Sequence, residues 1–179
     1  MKYPLFLFTL ILFSVAACSS VLQVNNYGND RAEIIDLMSR YSHALDFRDP
    51  EAFASTFAPD GVLNWARGEI VGRKALYDWL ASSEYNMAND AEEAKWPAAT
   101  RHYITNQAVR VDGDTAKAVS YWFQATNTTG DRAKTVWGLF GHYEDELVKI
   151  DGKWYFKYRT IYNEGLEGRT KAGEDNPSW

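Results

Sequence analysis

Two Asp-Gly turns cut the C-terminal half of the chain into long alternating runs, and no other feature limits the possible folds so tightly. Arg101 to Val111 and Ala116 to Thr126 flank Asp112-Gly113-Asp114; Thr135 to Ile150 and Trp154 to Ile161 flank Asp151-Gly152. Asp-Gly between such runs marks a hairpin, because the short turn that follows strand twist needs positive φ. Upstream the period changes. Asp30 with Glu33 forms a capping box, and Ile34, Met38, Tyr41 and Leu45 follow at helical spacing, so a helix is predicted from Asp30. Pro50 to Phe57 reads as a second, short helix, Ala58-Pro59-Asp60-Gly61 as a turn and Val62 to Ala66 as a short strand. Gly68 reads as a turn and Arg73 to Ser83 as a third helix. Glu84 to Thr100 has no clean period and reads as a loop beside a pocket, a lid hinged at Trp96. Helices first and antiparallel strands after predict an α+β fold. About three N-terminal helices pack on one face of a cone-shaped, curved antiparallel sheet.

The 179 residues suffice for one domain with a proper core. Seven Trp and eleven Tyr suit a small-molecule pocket or an oligomer interface as well as a core. A formal charge of −5 argues against nucleic acid, which needs clustered Lys and Arg. Three dispersed His and one Cys assemble no metal site, and nothing demands a cofactor.

Lys2 and the apolar run Leu5 to Val15 read as an export signal, too short for a bilayer span of roughly 20 residues. The run ends in Val15-Ala16-Ala17-Cys18, which resembles a bacterial lipobox. That reading removes residues 1–17, lipidates Cys18 and leaves residues 18–29 as a polar tether, with Ser19 directing the protein to the outer membrane, facing the periplasm. The alternative is an ordinary signal with Cys18 incidental. Cys18 is the only Cys, and a lipidated residue needs no disulfide partner. The folded domain then spans residues 30–163, and the Gly- and charge-rich residues 164–179 form a frayed tail.

Several stretches, in order and at ordinary spacing, resemble the SnoaL-like family of the nuclear transport factor 2-like superfamily. They are Arg40-Tyr41-Ser42-His43-Ala44-Leu45-Asp46, Phe57-Ala58-Pro59-Asp60, Gly72-Arg73-Lys74-Ala75-Leu76, Thr100-Arg101-His102-Tyr103-Ile104-Thr105-Asn106, Val111 to Ala116, and Gly141 to Trp154. The pattern is similar to the bile acid 7α-dehydratase and scytalone dehydratase branches. The resemblance implies a catalytic set of Tyr41, Asp46 and His102. The second pocket His of scytalone dehydratase has no counterpart, the matching stretch reading Gln124-Ala125-Thr126-Asn127.

Helix geometry agrees in part. Asp46 falls roughly 120° from Ile34, at the edge of the buried stripe, whereas His43 falls on the solvated side. Asp46 also sits at a helix C-terminus, where a carboxylate opposes the dipole. Tyr41 lies on the core stripe and reads equally as a packed residue. Trp65, Trp122, Tyr143 and Asp145 are the substrate-lining candidates. Asp145 on an inward face needs a partner; Arg159 qualifies only if a bulge turns it inward, and a structural ion pair is then the preferred reading. His142 points outward.

An Asp–His pair in an aromatic cavity suits proton abstraction beside a carbonyl, with His102 as general base, Asp46 orienting it and Tyr41 binding the developing oxyanion. The implied activity is a cofactor-free dehydratase or isomerase on a hydrophobic cyclic, polyketide-, steroid- or terpenoid-like molecule. The rival is an envelope lipoprotein that binds such a molecule without turnover. In Ala116 to Thr126 neither face is polar, so a homodimer through the open sheet face is expected.

Overall fold

The computed structural model describes residues 7–82, 99–127, 131 and 133–170, with side chains from residue 26 onward. Cys18 and Trp96 lie outside the described side chains. Among the described residues no helix is long and apolar enough to cross a membrane.

Among the described residues, the helices α1 (Leu7–Asp46), α2 (Pro50–Ser55) and α3 (Arg73–Ala81) pack on one face of a curved sheet. The strands are β1 (Phe57–Trp65), β2 (Gly68–Val71), β3 (Thr100–Asp112), β4 (Thr115–Thr126), β5 (Val136–Ile150) and β6 (Lys153–Asn163), ordered β2-β1-β6-β5-β4-β3. The four long runs of the sequence are β3 to β6, joined as antiparallel neighbours. At the β5–β6 turn Asp151 (φ 50°) and Gly152 (φ 76°) both adopt the positive φ that this tight hairpin requires.

The sheet departs from the expected all-antiparallel arrangement at one seam, where β1 runs parallel to β6. The expected turn at Ala58–Gly61 belongs to β1 itself, and the β1–β6 register shifts between Phe57 and Val62 instead. Gly61 permits that close approach, since a Cβ there would lie 2.7 Å from the Phe156 carbonyl oxygen. The core sits between α1, α2, α3 and the concave sheet face. Ile34, Leu37, Met38, Phe53, Phe57, Leu63, Leu76 and Phe156 are fully enclosed there.

Two further expectations are corrected. Asp30 is not an N-cap, because α1 continues back through it to Leu7. Its carboxylate instead accepts from Lys149 Nζ at 2.6 Å and Trp154 Nε1 at 2.9 Å, tying α1 to the β5–β6 hairpin. The chain is also held beyond Asn163. Glu164 N–H donates to the Phe140 carbonyl, and Arg169 donates to Asn64 and to the Ile161 carbonyl. Residues 171–179 lie outside the described ones.

Candidate active site

The end of α1 and the start of β3 build the site. The helix stops at Asp46, Arg48 takes a positive φ of 54°, and Asp49 caps α2 by accepting the Ala52 N–H at 2.9 Å with Pro50 in the first turn. This reversal holds Asp46 against the first residues of β3. Its Oδ2 accepts the His102 backbone N–H at 2.8 Å, and its Oδ1 lies 2.6 Å from His102 Nδ1. The two side chains are 5% and 11% exposed.

That double contact has a chemical consequence. An ionised carboxylate only accepts, so Nδ1 donates to it, and in the neutral ring that tautomer leaves the lone pair on Nε2. Nε2 has no hydrogen-bond partner among the described residues. The backbone bond to Oδ2 also fixes the carboxylate, so ring and acid are oriented together. His102 therefore presents a base, oriented by Asp46. Both residues fall where the helical and strand periods put them, while His43 on the other side of α1 is exposed.

A run of rings leads inward from His102. Trp122 lies 6.2 Å from it between centroids, Tyr143 stacks on Trp122 at 5.9 Å, and Tyr41 meets Tyr143 edge-on at 6.1 Å. Trp122 Nε1 donates to the Tyr162 carbonyl at 3.0 Å, which holds the indole still. Tyr41 is buried among Phe53, Phe57, Tyr143 and Phe156. Burial, opposed in part by the Arg159 charge, pushes its phenol up to about 12, so Tyr41 is a protonated donor and not a base near neutrality. The rings thus connect it to the dyad through Tyr143 and Trp122. Trp65 stands further off: it packs on Trp79 at 5.2 Å, and Trp79 reaches Tyr41 through Phe53.

Behind Tyr41 lies the Asp145–Arg159 pair. Arg159 Nε and Nη2 each donate to one Asp145 oxygen at 2.7 Å, and neither side chain is exposed. The required bulge is present: Glu146 pairs with Tyr158 but Leu147 with Phe156, so Lys157 is the extra residue that turns Arg159 inward. Its guanidinium lies 3.9 to 4.2 Å from the rings of Phe156, Tyr41 and Tyr143. Burial alone would lower the Arg159 pKa, but the Asp145 carboxylate holds it above the ordinary arginine value. Burial pushes the Asp145 carboxyl up, against the pull of the Arg159 charge, and Arg159 Nη1 is left buried with no hydrogen-bond partner among the described residues. The alternation of the sequence carries no sign of this bulge, since Lys157 continues it unbroken.

His142 does point to the outer face, yet it is covered there. It stacks on Tyr162 at 4.6 Å, and its ring nitrogens lie 3.4 Å from Glu144 and 3.6 Å from Glu164. Among the described residues, no three or more His, Cys, Asp or Glu converge as a metal site. An open groove of about 700 Å³ occurs at the hairpin end of the sheet, lined by Asp60, Arg110, Lys117, Glu146 and Lys157 among others. Its charges are mixed and include no base oriented as His102 is, so the dyad remains the site with chemical definition.

Residues 27–160 match the model of a SnoaL-like domain. Rv2910c, an uncharacterized protein of Mycobacterium tuberculosis, is 33% identical over 129 residues, covering 70% of this chain and 80% of that protein. Among solved structures, a nuclear transport factor 2-like protein with a cystatin-like fold from Novosphingobium aromaticivorans superposes with a TM-score of 0.65 at 21% identity, covering 88% of this chain and 94% of that one. A second protein of that organism, named for scytalone dehydratase, superposes with a TM-score of 0.65 at 22% identity, covering 86% and 99%. At those identities the structures establish the fold. With the sequence matched from the middle of α1 almost to the end of β6, this chain belongs to the SnoaL-like family.

Proposed function

We propose that the protein is a cofactor-independent dehydratase or isomerase acting on a hydrophobic, cyclic small molecule. The observation that carries this reading is the Asp46–His102 contact, 2.6 Å at Nδ1 and 2.8 Å at the backbone, which leaves Nε2 as a free, oriented base. Trp122 beside it, with Tyr143 stacked on Trp122, offers an apolar wall of the kind that ring compounds occupy. Nε2 would take a proton from the carbon next to a carbonyl, and the electron pair would form an enolate. In a dehydration the enolate would then expel a hydroxyl from the neighbouring carbon, and the imidazolium would return its proton to that oxygen, so water leaves. In an isomerisation the same proton would return to another carbon. Tyr41, protonated near neutrality, would act as a donor. The fold neighbour named for scytalone dehydratase suits this reaction class, although its 22% identity speaks to architecture.

The reading includes export, with Cys18 lipidated and the domain held at the outer membrane on the periplasmic side. It also includes a homodimer through the outer sheet face, where Tyr103, Tyr121, Trp137 and Phe140 are 47%, 59%, 70% and 59% exposed. The test of function is native mass spectrometry of the protein purified without denaturation. The expected result is a co-purified ring compound bearing a carbonyl or hydroxyl, converted with loss of water or with unchanged mass by the wild type and not by His102→Ala. A bound compound that both proteins leave unconverted would identify a binding protein and remove the catalytic reading.

A further inference from the structure

Gln124 is the cross-strand partner of His102: the two face each other in the β3–β4 register. Directly opposed residues share a sheet face, with Cβ atoms about 4.5–5.5 Å apart. Trp122, two residues earlier on that face, contacts the His102 ring, so Gln124 lies on the dyad's side of the sheet. Its side chain is half-buried, and its amide has no hydrogen-bond partner among the described residues. A half-buried amide without a partner, next to a base whose Nε2 is also free, is a place where a ligand's polar atom would be matched.

The opposite strand is shaped to seat it. Between Phe123↔Phe140 and Ala125↔Trp137, β5 has one residue more than β4, so Gly138 and Leu139 together stand against Gln124. A Cβ on Gly138 would lie 2.8 Å from both Cγ and Nε2 of Gln124. Any side chain at 138 would therefore displace the amide. Glycine there leaves Gln124 the space it occupies.

We propose that Gln124, seated by Gly138, is a second polar contact of the site and binds a neutral oxygen of the ring compound whose carbon meets His102. This rests on the proposed function, in which a small molecule binds beside the dyad. A neutral amide fits a hydroxyl or a carbonyl, since it can donate through its NH₂ or accept through its oxygen. It supplies no charge to select a carboxylate or a phosphate. Gln124 thus sets which oxygenated rings are held, and Gly138 is a positioning residue acting through it.

The experiment compares binding of 2-naphthol and naphthalene, two probes of one shape that differ by a hydroxyl, to the full chain by fluorescence titration. The wild type should prefer 2-naphthol. In Gln124→Leu that preference should fall about three- to tenfold, the range of one lost neutral hydrogen bond, with naphthalene binding retained. Gly138→Ala should lower it similarly, yet have no further effect on a Gln124→Ala background, where no amide remains to displace. Equal affinity for the two probes in the wild type, an unchanged preference in Gln124→Leu, or an additive effect of Gly138→Ala would each overturn the proposal. Because the readout is binding, a protein that never turns over leaves this inference standing. Conversely, a preference indifferent to Gln124 in a protein that loses turnover on His102→Ala removes only the inference about Gln124.

Discussion

Replacing Asp145 by Ala isolates the charge of Arg159, which is fully buried. Arg159 would keep its ring contacts at 3.9 to 4.2 Å, so these cancel in the comparison. What disappears is the carboxylate that receives Nε and Nη2 at 2.7 Å each, leaving a fully enclosed guanidinium with no anion. Breaking one side of a buried pair costs roughly 3–5 kcal/mol, a large share of the 5–15 kcal/mol that holds a domain together. For a domain of this size, that corresponds to a fall in Tm of about 10–20 °C. Replacing both partners, Asp145→Leu with Arg159→Met, removes the charge together with its counter-ion and should regain most of the loss. Urea unfolding followed by circular dichroism measures all three proteins. A loss below about 1 kcal/mol in Asp145→Ala, or a double variant no more stable than the single one, would show that packing rather than charge compensation governs this part of the core.

Trp137→Lys combined with Phe140→Glu should convert a micromolar dimer to monomer in sedimentation velocity, because both rings are exposed on the outer sheet face; a wild type that sediments only as monomer contradicts the interface. Burial works to raise the Asp30 pKa, but the bonds from Lys149 and Trp154 outweigh it and hold the carboxyl below its ordinary 3.8. A depressed carboxylate stabilises the fold fully above its unfolded pKa and loses that contribution as pH falls through the lower folded value. The stability gap between wild type and Asp30→Asn should accordingly be constant above about pH 5 and close below about pH 4; a gap that does not change with pH refutes this role. Cys18→Ala should move the protein from the membrane fraction to the soluble periplasm, and unchanged membrane association would rule out lipidation.

The strands were readable because their signals are local. Alternation and two Asp-Gly turns place β3 to β6 within a residue or two of where they lie. The dyad was readable because one helical and one strand period each set a side chain's direction, and the family pattern named the pair. Features made by distant contacts were not readable. The seat of β6 beside β1 rests on pairing between residues about a hundred apart in the chain, such as Phe57 with Phe156 and Leu63 with Arg159. Asp30 looked like a cap because local sequence cannot show Lys149 and Trp154, more than a hundred residues away, that claim its carboxylate. Arg159 could be assigned only on condition of a bulge, and the bulge at Lys157 leaves no mark in the alternation. Gln124 appeared in the sequence only within a stretch that lacks the second pocket His of scytalone dehydratase; its importance comes from register with His102 and from the glycine across the strand.

The central claim is that Asp46 orients His102 as a general base, and deuterium wash-in tests it without knowledge of the natural substrate. A bicyclic ketone such as α-tetralone is incubated with the protein in D₂O, and exchange at the carbon next to the carbonyl is followed by NMR. Exchange should run well above the buffer rate for the wild type, and His102→Ala should lose about 10²–10⁴-fold of that acceleration. Asp46→Asn should lose most of it as well, because the amide can donate to the ring and reverse its tautomer. Wild-type exchange no faster than buffer, or acceleration that survives His102→Ala in a folded protein, would contradict the claim.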